Sequence, residues 1–147
     1  MNIPSPCYVL DEKRLIRNLE LIQKVQEEAD VSIILAFKGF AMWSAFPLIK
    51  EYLNGATASS LHEAKLCVEE MGCKAHTYNV AYEAQTFEEI VQCSSHLTFN
   101  SVSQYDRFID KVPQEVSIGL RVNPEWSDVM TDLYNPASPT SRLGICA

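Results

Sequence analysis

Glycine is scarce, with five in 147 residues, and none sits in a Gly-x-Gly-x-x-Gly array. The phosphate-binding turn that opens a doubly wound dinucleotide fold is therefore missing. Cysteine occurs an odd number of times (Cys7, Cys67, Cys73, Cys93, Cys146) without a Cys-x-x-Cys pair. That argues against a disulfide framework and against a structural zinc site, so no metal is expected. Basic charge is in deficit, 12 Lys and Arg against 19 Asp and Glu, for a net charge of −7. Such a chain repels phosphate backbones, so no nucleic-acid partner is expected, although a local basic pocket for one small phosphate stays open. No apolar run approaches the roughly 20 residues that cross a bilayer. The opening Met1-Asn2-Ile3-Pro4-Ser5-Pro6 has no basic flank and no apolar core, so it does not read as a signal peptide. Reduced thiols in a cytoplasmic protein with no membrane partner are the expectation.

What is present is an ordinary globular composition, 47% hydrophobic and 21% charged. Two hydrophobic periods alternate along it. Leu15, Leu19, Ile22 and Val25 recur at spacings of three and four, which predicts a helix over 11–29 with Asp11 as its N-cap. The run Val31 to Phe37 is short, β-branched and almost wholly apolar, the pattern of a strand buried on both faces. The pattern then predicts helices over 41–53, 60–71, 83–92 and 103–111, with Gly72 closing the second of them. Strands are predicted over 55–58, 74–78, 97–100 and 116–122. From Asn123 onward the chain is polar and proline-rich and reads as a long loop.

Strands alternating with helices imply a parallel sheet. Short strands recurring every 20 to 25 residues suit a (β/α) barrel better than a doubly wound sheet. About five strands are legible, and a closed barrel of this kind needs eight and about 250 residues. The expectation is an α/β chain forming the N-terminal part of a (β/α)8 TIM barrel, incomplete here and belonging to a larger enzyme. Residues 1–147 would be the partial barrel domain.

In such folds sites lie at the carboxyl ends of the strands. Lys38 stands there after the first strand. Partial desolvation at that place would favour the neutral, nucleophilic amine; the plain alternative is a lysine extending into solvent. Ser59, Ser60, His62 and Glu63 follow the second strand. Ser60 and Glu63 have the spacing of a capping box, which alone accounts for both, while His62 reads as a surface residue. Arg121 lies near the end of the last strand and needs a partner, either a carboxylate such as Glu63 or an electron-rich ligand atom. Phe40, Trp43 and Phe46 read as core, with one of them open to lining a pocket. His76 and His96 have no partner at metal spacing and are given no role.

Five segments then fall in one order: Pro6-Cys7-Tyr8-Val9-Leu10-Asp11, Leu35-Ala36-Phe37-Lys38, Ala58-Ser59-Ser60-Leu61-His62-Glu63, Gly119-Leu120-Arg121-Val122-Asn123-Pro124 and Ser141-Arg142-Leu143-Gly144-Ile145. That order resembles the alanine-racemase-like, pyridoxal-phosphate-dependent decarboxylases. Lys38 to Ser44 is most similar to their carboxynorspermidine decarboxylase branch. The resemblance implies pyridoxal 5'-phosphate as cofactor, Lys38 as its Schiff-base lysine, and Glu63 and Arg121 as cofactor-binding residues. It implies decarboxylation of a polyamine precursor, carboxynorspermidine or carboxyspermidine, by a homodimer when full length. It places a ring-stacking histidine, a glycine-rich phosphate loop and a C-terminal β-domain beyond residue 147. Thr57 stands where ornithine- and diaminopimelate-type relatives carry aspartate. The alternative is a non-catalytic, single-barrel protein that binds the same cofactor.

Overall fold

The computed structural model describes residues 3–146. Helix α1 spans Glu12–Ala29. Asp11 caps it by accepting the Arg14 N–H at 3.2 Å, which satisfies a donor the first turn would otherwise leave unpaired. Leu15, Leu19 and Ile22 face the core, while Val25 is exposed.

Five strands follow: β1 Leu35–Ala36, β2 Ala56–Ala58, β3 Ala75–Tyr78, β4 Ser94–Phe99 and β5 Ser117–Leu120. All neighbours are parallel, and the order is β1-β2-β3-β4-β5. A doubly wound sheet reverses its strand order at a switch point. This sheet never reverses, so the strands advance around one side as they do in a barrel. The returning segments are a 3₁₀ turn Trp43–Ala45 running into α2 Phe46–Ile49, α3 Leu61–Leu66, α4 Phe87–Gln92 and α5 Val102–Phe108. Segment α3 continues as a π-helical stretch, Cys67–Met71, and Gly72 ends it at φ +71°. Segment α5 continues as a 3₁₀ turn, Ile109–Lys111.

The apolar side of the sheet meets these helices in two clusters. One holds Phe37, Phe46, Ile49, Ala56, Ala58, Ala64 and Cys67, with the Phe37 and Phe46 rings stacked at 5.0 Å. The other holds Tyr82, Phe87, Ile90, Leu97, Phe99 and Phe108, with Phe87 and Phe108 stacked at 4.3 Å. The opposite side is polar. Ala36, Thr57, His76, His96 and Ser117 stand in matching register across all five strands. The His76 and His96 rings stack at 3.7 Å. A cavity of about 320 Å³ lies against them, lined also by Ile34, Thr98 and Ile118.

This one-sidedness corrects the reading of Val31–Phe37 as a strand buried on both faces. Only Leu35 and Ala36 pair, Val31 is half exposed, and Phe37 alone is buried. The reason is local. Val31 N–H bonds to the Gln26 carbonyl, and Ile33 N–H bonds to Gln26 Oε1 at 2.7 Å. The end of α1 thus takes up backbone donors that a strand ladder would have used. The predicted helix 41–53 is likewise a 3₁₀ turn and four α-helical residues, with Pro47 in the first turn of α2, where a missing N–H costs no intrahelical bond.

Candidate active site

The chain leaves β1 in a tight turn: Gly39 N–H and Phe40 N–H both donate to the Ala36 carbonyl, at 2.9 and 3.0 Å. Phe37 is anchored in the core, so the turn delivers Lys38 to the carboxyl end of the sheet. Lys38 is exposed there, the plainer of the two readings its position allowed. It opens onto a cavity of about 390 Å³ lined by Ser59, Tyr78, Asn79, Val80, Arg121, Arg142 and Leu143. These residues come from the carboxyl ends of β1, β2, β3 and β5, and from the loop near the C-terminal end. Three cations line the cavity, and no carboxylate is among its lining residues.

Arg121 is held from three sides. Its N–H extends the sheet by donating to the Phe99 carbonyl at 2.9 Å, and its carbonyl accepts the Ile145 N–H at 2.8 Å. Its guanidinium lies over the Tyr78 ring, 4.8 Å from the centroid. Of the partners expected for Arg121, a carboxylate such as Glu63 or an electron-rich ligand atom, the carboxylate does not line its cavity, and the Tyr78 ring offers an aromatic face.

Glu63 does not line the cavity. Ser60 Oγ accepts the Glu63 N–H at 3.2 Å, as a capping residue does. The Glu63 carboxylate accepts the N–H of Ser59 at 2.6 Å, one residue earlier than a regular capping box would. Glu63 therefore fixes the backbone of a cavity residue from behind. His62 is exposed, as expected. Of the three aromatics read as core, Phe46 is buried, Phe40 is half-buried and Trp43 is exposed.

Sequence reasoning missed three residues: Tyr78, Asn100 and Arg142. Asn100 Oδ1 accepts from the Tyr78 hydroxyl at 2.6 Å and from Gly144 N–H at 2.7 Å. Its Nδ2 donates to the Arg142 carbonyl at 2.9 Å. One amide thus fastens the loop bearing Arg142 to the ends of β3 and β4. Arg142 lay within a quoted motif, but nothing in its spacing announced that it would share a cavity with Lys38. Below the floor, burial pushes the Tyr82 phenol up, so it stays protonated. It donates to the Thr98 carbonyl at 3.0 Å and accepts the Asn79 N–H at 3.3 Å. A larger groove of about 580 Å³, lined by Tyr8, Val9, Met42 and Leu48, has no lysine or arginine on its walls. It therefore lacks the charge that marks the smaller cavity.

Proteins of known name resemble the chain over nearly its whole length. Carboxyaminopropylagmatine decarboxylase of Synechocystis is 44% identical over 147 residues, covering 99% of this chain and 38% of that protein. Carboxynorspermidine/carboxyspermidine decarboxylase of Campylobacter jejuni is 43% identical over 145 residues, covering 99% and 38%. The crystal structure of carboxynorspermidine decarboxylase from Campylobacter jejuni, complexed with norspermidine, superimposes with a TM-score of 0.88 at 40% identity. This chain is homologous to carboxy(nor)spermidine decarboxylases. The superposition covers 98% of the chain and 36% of the solved decarboxylase, so the five-stranded sheet is a partial barrel of that fold. The chain spans about 38% of the length of these decarboxylase relatives. No protein-family model matches it. Among the described residues no helix is long and apolar enough to cross a membrane, and no three His, Cys, Asp or Glu side chains gather as a metal site.

Proposed function

We propose that this chain is the first part of the barrel domain of a decarboxylase that uses pyridoxal phosphate to act on a carboxylated polyamine precursor. One observation carries the reading: Lys38, Arg121 and Arg142 line one cavity at the carboxyl ends of parallel strands, with no carboxylate on its walls. Like charges gathered in one cavity repel, and a bound anion relieves that repulsion. Pyridoxal phosphate is an anionic, planar aldehyde, and the donor set fits it: an amine for the aldehyde, guanidinium groups for the anion, and an aromatic wall in Tyr78. When bound, it supplies an electron sink for the carbanion left by loss of carbon dioxide.

The chain's own residues divide the work. Lys38, accessible at the rim, offers its amine to the aldehyde. Arg121 presents a positive charge whose guanidinium rests over the Tyr78 ring, while the Phe99 carbonyl and the Ile145 N–H fix its backbone. Glu63 acts through Ser59, whose backbone it holds at the cavity wall. A cytoplasmic homodimer with the remaining barrel strands and a β-domain completes the proposal. Its substrate tail is norspermidine-, spermidine- or agmatine-derived, the range that the relatives' names span.

The test uses the full-length protein that contains this chain. Carbon dioxide release is measured from carboxynorspermidine, carboxyspermidine and carboxyaminopropylagmatine, with and without Lys38→Ala. Release from at least one, lost in the variant together with the cofactor's visible absorbance, is the expected result. Cofactor binding without release from any of the three would assign the chain to the non-catalytic, cofactor-binding alternative. A borohydride-fixed cofactor on another lysine would remove Lys38 from its role.

A further inference from the structure

At the opposite end of the sheet, two residues before β3 begins, a pair of thiols stands outside the machinery described above. Cys67 Sγ and Cys73 Sγ lie 3.6 Å apart. The backbone draws them together. The π-helical stretch widens the last turn of the α3 segment by one residue, and the Gly72 and Cys73 N–H groups both converge on the Cys67 carbonyl. Gly72, at φ +71°, then reverses the chain so that Cys73 folds back over Cys67. A bonded pair of sulfurs sits at about 2.05 Å, so closure needs an approach of about 1.5 Å.

The two thiols differ in access. Cys67 is fully buried. Cys73 is partly exposed and lines an open cavity of about 250 Å³ with Lys50, Asn54 and Gly72. That cavity admits a small oxidant and presents a lysine ammonium at its wall.

We infer that Cys67 and Cys73 are a peroxide-oxidisable dithiol that closes to a disulfide across the end of the α3 segment. The cavity directs the first step to Cys73. Its thiolate attacks a peroxide oxygen, the O–O bond breaks, sulfur is oxidised by two electrons, and hydroxide leaves. The product is a sulfenic acid on Cys73. Cys67 sulfur then attacks that sulfur, the S–S bond forms, the S–O bond breaks, and the departing hydroxide takes up the Cys67 proton as water. Across both steps two thiols and one peroxide give one disulfide and two waters. The Cys67 thiol is pushed up to about 12, by burial first and by the charge and hydrogen bond of Cys73 after it.

The sequence offers a clean readout. Trypsin cuts after Lys65 and Lys74 and leaves both cysteines in one peptide, while cleavage after Glu69 or Glu70 falls between them. The protein is treated with hydrogen peroxide, its free thiols are alkylated, and it is digested with trypsin and then with a glutamate-specific protease. The expected product is a tryptic peptide 2 Da light and unalkylated, whose two halves stay joined after the second cut until reductant is added. Cys67→Ser should stop at a dimedone-trappable sulfenic acid on Cys73. Cys73→Ser, at a partly exposed site, should abolish both the link and the dimedone adduct, and Cys93→Ser should leave the link intact. Two alkyl groups on the peptide, a link to Cys93, or sulfinic acid on Cys73 without any link would overturn the inference.

Discussion

A single side chain, Asn100, ties the hydroxyl of one strand-end tyrosine to the loop that carries a candidate cation. It makes three hydrogen bonds, and intramolecular bonds of this kind contribute about 1 kcal/mol each. Asn100→Ala should therefore destabilise the protein by about 1–3 kcal/mol in a denaturant titration. Amide exchange at Gly144 should quicken at the same time, because its acceptor is gone. Asn100→Asp should restore the Gly144 bond but not the one to the Arg142 carbonyl, which needs a donor. A second expectation concerns the stacked histidines. Burial first, and the charge of His96 second, lower the proton affinity of His76 in the folded state. The unfolded chain then binds more protons as pH falls through the usual imidazole range near 6.5, and stability falls with it. Above that range both states are neutral and the contribution vanishes. Thermal melting from pH 7.5 to 5.5 should show a decline that His76→Gln flattens; an unchanged slope would show that other groups set it. At this scale the sequence was half legible. Lys38 and Arg121 could be placed at strand ends from periodicity alone. Tyr78 and Asn100 could not, because their partners lie 22 and 44 residues away and belong to different elements.

The elements themselves were easier to see than their faces. Every predicted strand exists, yet β1 shrank to two residues because Gln26 captured its approach, and β4 begins at Ser94, earlier than its apolar residues announce. The polar face explains the second shift. Ala-His-Thr-Tyr in β3 and Ser-His-Leu-Thr-Phe in β4 alternate, so only every second residue reports burial. Beyond β5 the chain read as loop. It nonetheless returns to lay Ile145 beside Val122 as a parallel bridge, with Gly144 making the approach. Gly144 has φ +85°, and a Cβ there would stand 2.9 Å from Asn123 N and 3.1 Å from the Arg121 carbonyl. Both contacts are backbone, which cannot swing aside. Gly144→Ala should cost roughly 1–3 kcal/mol, the usual scale of such strain. It should also release the 141–146 segment, seen as loss of amide protection at Ile145 with α1 unaffected. Equal stability and protection would mean that the bridge is not what holds this segment.

As a whole, the described sheet has β1 and β5 at its two edges, and the face bearing His76 and His96 is lined largely by polar and half-exposed groups. Ile118 and Leu120 of β5 are partly exposed, and Val122 just beyond is 68% exposed. Open edges flanked by apolar side chains recruit other chains. Residues 1–147 expressed alone should therefore associate as concentration rises and should release no carbon dioxide from carboxynorspermidine. Size-exclusion at several concentrations and a decarboxylation assay check both, and a monomer that turns over substrate would contradict both. The strand order that excluded a doubly wound sheet also sets a timetable. Paired residues are only about 20 positions apart in the chain at every step, from Leu35 with Ala56 to Leu97 with Ile118. No strand waits for a distant partner. Hairpin-sized closures take microseconds, whereas a ribosome adds roughly 5–20 residues each second. Translation rather than chain search thus paces the sheet: one new strand docks every roughly one to four seconds onto the edge its predecessor has just made.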